Sequence, residues 1–390
     1  MGSSPPVFRL GYLPALDGLR AVSILAVLAR HSGWLGGGYL GVDVFFALSG
    51  FLITALLTEE YGRTGTIALR LFYARRALRL LPALAVLIVI CVVVELATLP
   101  PEYGPLVLQQ AAAVIFYAGN WAAIWGLPMG LFIHAWSLAI EEQFYLVWPL
   151  ILIVLLRGIR HRLALTAVVL AGAGAACLWR VVLTQPGVTF LRLYVAPDAH
   201  ADSLLVGCAA SLLLSSGGLP TGLARNAVRA GGVVGAVALA ILFFASTFPG
   251  DYVRHQVSLL TALAAGLVII DMCVPGSLLA RGLERWPLVG LGRISYGVYL
   301  WHVPIFTFVG ALSIGDGARP LTTVIAAWVA TFTVALTSYV VVERPALALK
   351  RQYAAGASIE RRTPAGHAAR SVATASSGPS RTPPDAPRPT

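Results

Sequence analysis

The sequence predicts an all-α polytopic membrane protein of about ten transmembrane helices, plus one re-entrant or interfacial apolar segment. Three observations carry this prediction. Of 390 residues, 58% are hydrophobic and only 12% charged, with a mean hydropathy of +0.80. Apolar runs of about 20 residues recur along the whole chain, the length a helix needs to cross a bilayer while satisfying its own backbone. Arginines gather at the ends of these runs, as cytoplasmic loops require. The net charge of +11 therefore reads as topology, and nucleic acid is not an expected partner.

Eleven runs are long enough to consider: 14–33, 38–58, 80–99, 106–126, 134–156, 163–183, 198–216, 229–248, 256–274, 294–312 and 320–342. Arg63, Arg70, Arg75, Arg76 and Arg79 mark the connection after the second run as cytoplasmic, which puts the N-terminus inside. Strict alternation would then place Arg157, Arg160 and Arg162 outside. If 106–126 enters and returns, or lies at the interface, that conflict disappears, and Gln109, Gln110, Asn120 and Gly126-Leu-Pro128 suit such a segment. The clusters Arg225/Arg229, Arg281/Arg285/Arg293 and Arg344/Lys350/Arg351 then all fall inside, and both termini are cytoplasmic. Residues 1–11 form a short cytoplasmic segment and 12–350 the membrane domain. Residues 351–390, rich in Ala, Ser, Thr, Pro and Arg, are expected to be a disordered basic cytoplasmic tail. No cleavable leader is expected, because Pro5, Pro6, Arg9 and Pro14 precede a run with charges of its own. Cys91, Cys177, Cys208 and Cys273 lie in apolar stretches without CxxC spacing, so neither a disulfide framework nor a metal site is implied.

Ionisable residues inside such runs are costly and mark cavities, partners or substrate paths. The densest set is His134-Ala-Trp-Ser-Leu-Ala-Ile-Glu141-Glu142-Gln-Phe-Tyr145, where His134, Ser137 and Glu141 at i, i+3 and i+7 share one helical face. A buried structural network is the competing reading. In the first run Arg20 and His31 lie about 16 Å apart along one face, Arg20 near the inner end and His31 near the outer. Arg20 also suits an interfacial anchor. Asp43 opens the second run in the same outer half as His31, His134 and Glu141. Two readings stand for it: a carboxylate that fixes and strengthens an imidazole base, or a structural ion pair with an arginine. Arg76 and Arg79 at i, i+3 form a guanidinium pair suited to phosphate, or a plain topology signal. A zinc site from His31, His134, His200 and His302 lacks any i, i+4 pair. A transporter would share the buried charges, but inverted repeats are not found.

Five motifs then occur in order: Arg20 with His31 eleven residues on; Gly41-Val-Asp-Val-Phe-Phe-Ala-Leu-Ser-Gly50; Arg75-Arg76-x-x-Arg79; His134-x-Trp136-Ser137-Leu138-x-x-Glu141; and Arg293-Ile-Ser-Tyr296-x-x-Tyr299-x-Trp301-His302-x-Pro304. With Asp198-Ala-His200-Ala-Asp202 and Val342-Glu343-Arg344-Pro345, they resemble the membrane acyltransferase-3 family over about residues 12–350. The resemblance implies an O-acyltransferase that moves an acyl group, usually acetyl, from cytoplasmic acyl-CoA to a hydroxyl across the membrane. Acceptors of that kind are envelope glycans, glycolipids or secreted metabolites. The alternative is a transporter or flippase of a sugar-lipid or small polar solute. On the family reading His31 is the base or a transient acyl carrier, Glu141 orients a histidine, and Asp43, Ser137 and His134 complete the catalytic set. Arg20, Arg76 and Arg79 hold the donor with Tyr296 and His302, while Ser137, Trp136 and Tyr296 are candidate donors to an oxyanion. His302 is equally readable as helix packing. No permanently bound cofactor or metal is expected, the partners being acyl-CoA, the acceptor and the bilayer, with oligomeric state open. Some family members carry a fused extracytoplasmic hydrolase-like domain; none is expected from this sequence, which leaves open whether transfer needs a partner.

Overall fold

The computed structural model describes residues 10–216, 220–248, 250–251, 256–313 and 317–348. Among them the protein is helical, without strands. The helices are α1 Pro14–His31, α2 Gly41–Thr64, α3 Leu69–Thr98, α4 Gly104–Ile115, α5 Gly119–Ile124, α6 Trp136–Gly158 and α7 Arg162–Val182. They continue with α8 Phe190–Val195, α9 Pro197–Leu214, α10 Gly222–Ala245, α11 Val257–Met272, α12 Leu278–Leu283, α13 Trp286–Val309 and α14 Leu321–Ser338. A wide turn with π-type bonding, Tyr339–Glu343, follows α14. The expected tail lies outside the described residues.

By length and composition, six helices are long and apolar enough to cross a membrane: α2 with its preceding turn, α3, α6 with its preceding turn, α7, α10 and α14 with its continuation. Others carry the polar groups that matter most. α1 holds Asp17, Arg20 and Arg30, and α9 holds Asp198, His200 and Asp202. His200 and Asp202 are fully buried against neighbours, which meets their cost in lipid, while Asp198 is exposed at the start of α9 and paired with Arg192.

α9 packs on α2 and α7, α1 on α13, α13 on α14, and α10 on α11. The α2–α9 crossing is close because glycines face backbone on both sides. A Cβ at Gly50 would strike the Leu204 carbonyl, and one at Gly207 the Ala47 carbonyl. That crossing brings Asp43 to His200. At one end of the bundle Gly18 packs against Leu283; at the other Gly33 packs against Gly317. The start of α1 therefore shares an end with α12, and its finish shares the opposite end with the connection before α14.

Two expectations need correction, and the segment expected to re-enter or lie at the interface takes a broken form. α3 begins at Leu69, so Arg70, Arg75, Arg76 and Arg79 lie on its first turns and not in a connection. Apolar counting stops at charges, but arginine, leucine and alanine are good helix formers. Segment 106–126 is not one helix: it breaks at Phe116–Ala118, where Tyr117 has φ 51°, into pieces of 12 and 6 residues. Twelve residues rise only about 18 Å, too little to cross. His134 belongs to the 3-10 turn Gly130–Ala135, so it does not continue the α6 face that carries Ser137 and Glu141.

Candidate active site

Two cavities meet inside the bundle. One lies among α1, α2, α3, α6 and α13 and holds about 1040 Å³ of empty space, open mouth included. Arg20, Arg76 and Arg79 line it, with Ser49, Ser137, Glu141, Glu142, Tyr145 and Tyr296. Arg76 donates to Glu142 at 2.5 Å, and its guanidinium lies 3.4 Å from the Tyr145 ring centre. Arg20 Nε donates to Ser295 Oγ at 3.3 Å. Neither Arg20 nor Arg79 has a carboxylate partner within ion-pair distance among the described residues. Glu141 Oε1 accepts from Ser49 Oγ and from Tyr145 Oη at 2.6 Å. Tyr296 donates its hydroxyl to the Leu80 carbonyl at 2.9 Å. Three guanidiniums against two lining carboxylates leave this chamber cationic, suited to an anionic ligand.

The second cavity, about 740 Å³, is lined by His31, His134, Arg30 and the rings of Tyr39, Trp136, Tyr194 and Phe248. Val42 and Tyr299 line both chambers and so form the partition. The Tyr299 hydroxyl lies 2.6 Å from Ser137 Oγ and donates to the His134 carbonyl at 3.0 Å. His31 closes α1, where Ser313 N donates to its carbonyl at 2.7 Å and Ser32 Oγ bonds back to the Leu28 carbonyl at 2.8 Å. The Ser313 bond satisfies a carbonyl that the helix end leaves bare and holds the backbone that carries the imidazole. His31 Nδ1 is 3.0 Å from His302 Nε2, with the rings stacked at 4.9 Å. His302 Nδ1 faces the Tyr299 carbonyl at 2.6 Å, and His134 Nε2 faces the Leu300 carbonyl at 3.0 Å.

The predicted residues are thus divided. Arg20, Arg76, Arg79, Tyr296, Ser137 and Glu141 share the cationic chamber; His31 and His134 share the other, with His302 behind His31. Two corrections follow. Glu141 is not paired with His31, because its Oε1 is occupied by Ser49 and Tyr145 in the other chamber. Asp43 stands beside an imidazole, but that of His200, whose Nε2 is 2.9 Å from Asp43 Oδ1. Ser203 and Ser258 donate to the same oxygen at 2.8 and 2.6 Å. The cluster continues to Asp202, held by Arg180 at 2.7 Å with both side chains fully buried. Asp43 lines neither cavity. It braces the wall, since His200 packs on Trp136 and Tyr194.

Sequence reasoning did not select Tyr299, Ser49, Tyr145 or Glu142. Tyr299 and His302 sit three and six residues after Tyr296 on α13, a helical face that was available as a signal. Ser49 and Tyr145 gave none. Three of the four histidines weighed for zinc do approach one another, His134 lying 5.3 Å from His302 ring to ring. Both His302 nitrogens and one of His134 are hydrogen-bonded, and among the described residues no group of His, Cys, Asp or Glu could hold a metal.

A cationic chamber set against a histidine chamber, among helices long and apolar enough to cross a membrane, suits a membrane-embedded protein that handles an anionic ligand. The model for the acyltransferase domain of the acyltransferase-3 type matches residues 13–342, and the chain belongs to that family of membrane O-acyltransferases. It is 35% identical over 310 residues to the peptidoglycan O-acetyltransferase OatA of Listeria monocytogenes, covering 76% of this chain and 50% of that protein. Identity is 36% over 310 residues with the putative peptidoglycan O-acetyltransferase YrhL of Bacillus subtilis, covering 75% and 48%. With the O-acetyltransferase OatA of Staphylococcus aureus it is 34% over 350 residues, covering 86% and 57%. The chain spans about half the length of these curated relatives. No solved structure matches. The transporter alternative gains no support from any of these likenesses.

Proposed function

We propose that the chain transfers an acetyl group from acyl-CoA, bound in the arginine chamber, to a hydroxyl of an envelope glycan presented to the histidine chamber. The observation that carries this reading is the shared wall. One chamber supplies guanidiniums for an anionic carrier, the other supplies an imidazole, and among the described residues Val42 and Tyr299 line both. Arg20 and Arg79, free of carboxylate partners, take the donor phosphates, while Arg76 is held in place by Glu142. The thioester arm reaches along α1 towards His31, about 16 Å beyond Arg20. His31 takes the proton of the acceptor hydroxyl as the new ester bond forms, and returns it to the leaving thiolate as the C–S bond breaks.

The topology that suits this has ten crossings: α1, α2, α3, α6, α7, α9, α10, α11, α13 and α14. α4 and α5 enter and return from the outer side. Both termini and the arginine chamber's mouth are then cytoplasmic, and His31 faces outward. The names of the Listeria and Bacillus relatives make peptidoglycan the first acceptor to try. The test is purified protein in proteoliposomes with labelled acetyl-CoA and a peptidoglycan oligosaccharide. Acetyl ester on the glycan is expected; intact acetyl-CoA alongside acyl transfer from another acetyl donor would overturn the donor assignment.

A further inference from the structure

The hydrogen-bond chain behind His31 dictates where its protons sit. The Tyr299 carbonyl oxygen only accepts, so His302 must carry its proton on Nδ1, 2.6 Å away. His302 is fully buried, and none of its hydrogen-bond partners is a carboxylate. An imidazolium there would be an unpaired buried charge, so His302 is neutral and its Nε2 is a lone-pair acceptor. His31 Nδ1, 3.0 Å from that nitrogen, must then be the donor. The only nitrogen left basic on His31 is Nε2. It makes no hydrogen bond among the described residues, is not a buried orphan, and belongs to a partly buried residue lining the outer chamber.

We infer that His302 is a positioning residue, which with the Tyr299 carbonyl locks His31 as the Nδ1–H tautomer and presents its Nε2 lone pair to the acceptor hydroxyl. This rests on His31 acting as the base. When Nε2 takes the hydroxyl proton, the new imidazolium keeps its Nδ1–H bond to a neutral acceptor and its charge is shared along the chain. The proton then leaves from Nε2 to the thiolate, and both histidines return to their starting state. In this role His302 supports the outward-facing base, whereas the family resemblance had grouped it with the donor-binding residues.

The tautomer can be read directly. In proteoliposomes of the full chain labelled with 15N-histidine, the His31 signals, assigned by difference from His31→Gln, should show a protonated Nδ1 and an unprotonated Nε2. An unprotonated Nδ1 overturns the inference. Kinetics test the consequence. His302→Leu should lower kcat about 10–100-fold with KM for acetyl-CoA unchanged, the scale of losing a supporting partner behind a reacting group. His302→Gln restores an oxygen acceptor where Nε2 stood and should recover most of that loss, which a mere packing role would not explain. Full kcat in His302→Leu, or a folded Gln variant no better than Leu, refutes the positioning role while leaving His31 as base intact. An active His31→Gln removes both.

Discussion

Asp43 is the residue on which sequence and structure differ most, and replacing it separates chemistry from scaffolding. Its Oδ1 accepts from His200 Nε2, Ser203 Oγ and Ser258 Oγ at 2.9, 2.8 and 2.6 Å, while Oδ2 has no partner among the described residues. Asp43→Ala removes the carboxylate paired with His200 and takes a shared acceptor from Ser203 and Ser258, all in a site 0–1% exposed. Losing one side of a buried pair costs about 3–5 kcal/mol, a large part of the ~5–15 kcal/mol that holds a typical fold. Asp43→Asn keeps the oxygen that the serines use and places an unpaired N–H at the Oδ2 position, costing about 1–3 kcal/mol. The expected series is therefore wild type, then Asn, then Ala, in thermal midpoint and in yield of inserted protein. Transfer per folded molecule should stay within a few-fold of wild type. If Asp43→Asn melts like wild type yet transfers more than about 100-fold slower, the scale of a lost acid or base, Asp43 belongs to the chemistry and the bracing role is wrong.

Alanine at Arg79, or at Arg76 and Arg79 together, should raise KM for acetyl-CoA about 10–100-fold, the value of one to two charge-assisted bonds. Lysine should recover only part, lacking the planar fork; unchanged KM in the double variant would demote the pair to topology. Gly207→Ala should cost about 1–3 kcal/mol and reduce inserted protein, because its Cβ meets the Ala47 carbonyl at the α2–α9 crossing. Normal yield and melting would show that the helices can part there. A reporter active only in the cytoplasm, fused after Lys350, should work. Activity there of one that works only after export would mean that 106–126 crosses fully.

The membrane class and the order of the helices were legible because lipid imposes a length and a composition on anything that crosses it. The start of α3 was not, since hydropathy hides a helix that begins in arginines. Pairing of side chains was the least legible layer. Asp43, His31 and Glu141 look like neighbours when counted by depth alone. Rotation about each helix, set by the Gly50/Gly207 crossing and by the 3-10 turn before Trp136, sends Asp43 to His200 and Glu141 to Ser49. His31 and His302 are 271 residues apart in sequence, and nothing local in either motif announces that they touch.

The most direct measurement is acyl transfer per folded, membrane-inserted protein in His31→Ala against wild type, with KM for acetyl-CoA recorded on both. With His31 as the base in the outer chamber, kcat falls roughly 10²–10⁴-fold while donor KM holds. Wild-type kcat in His31→Ala would contradict the account at its centre.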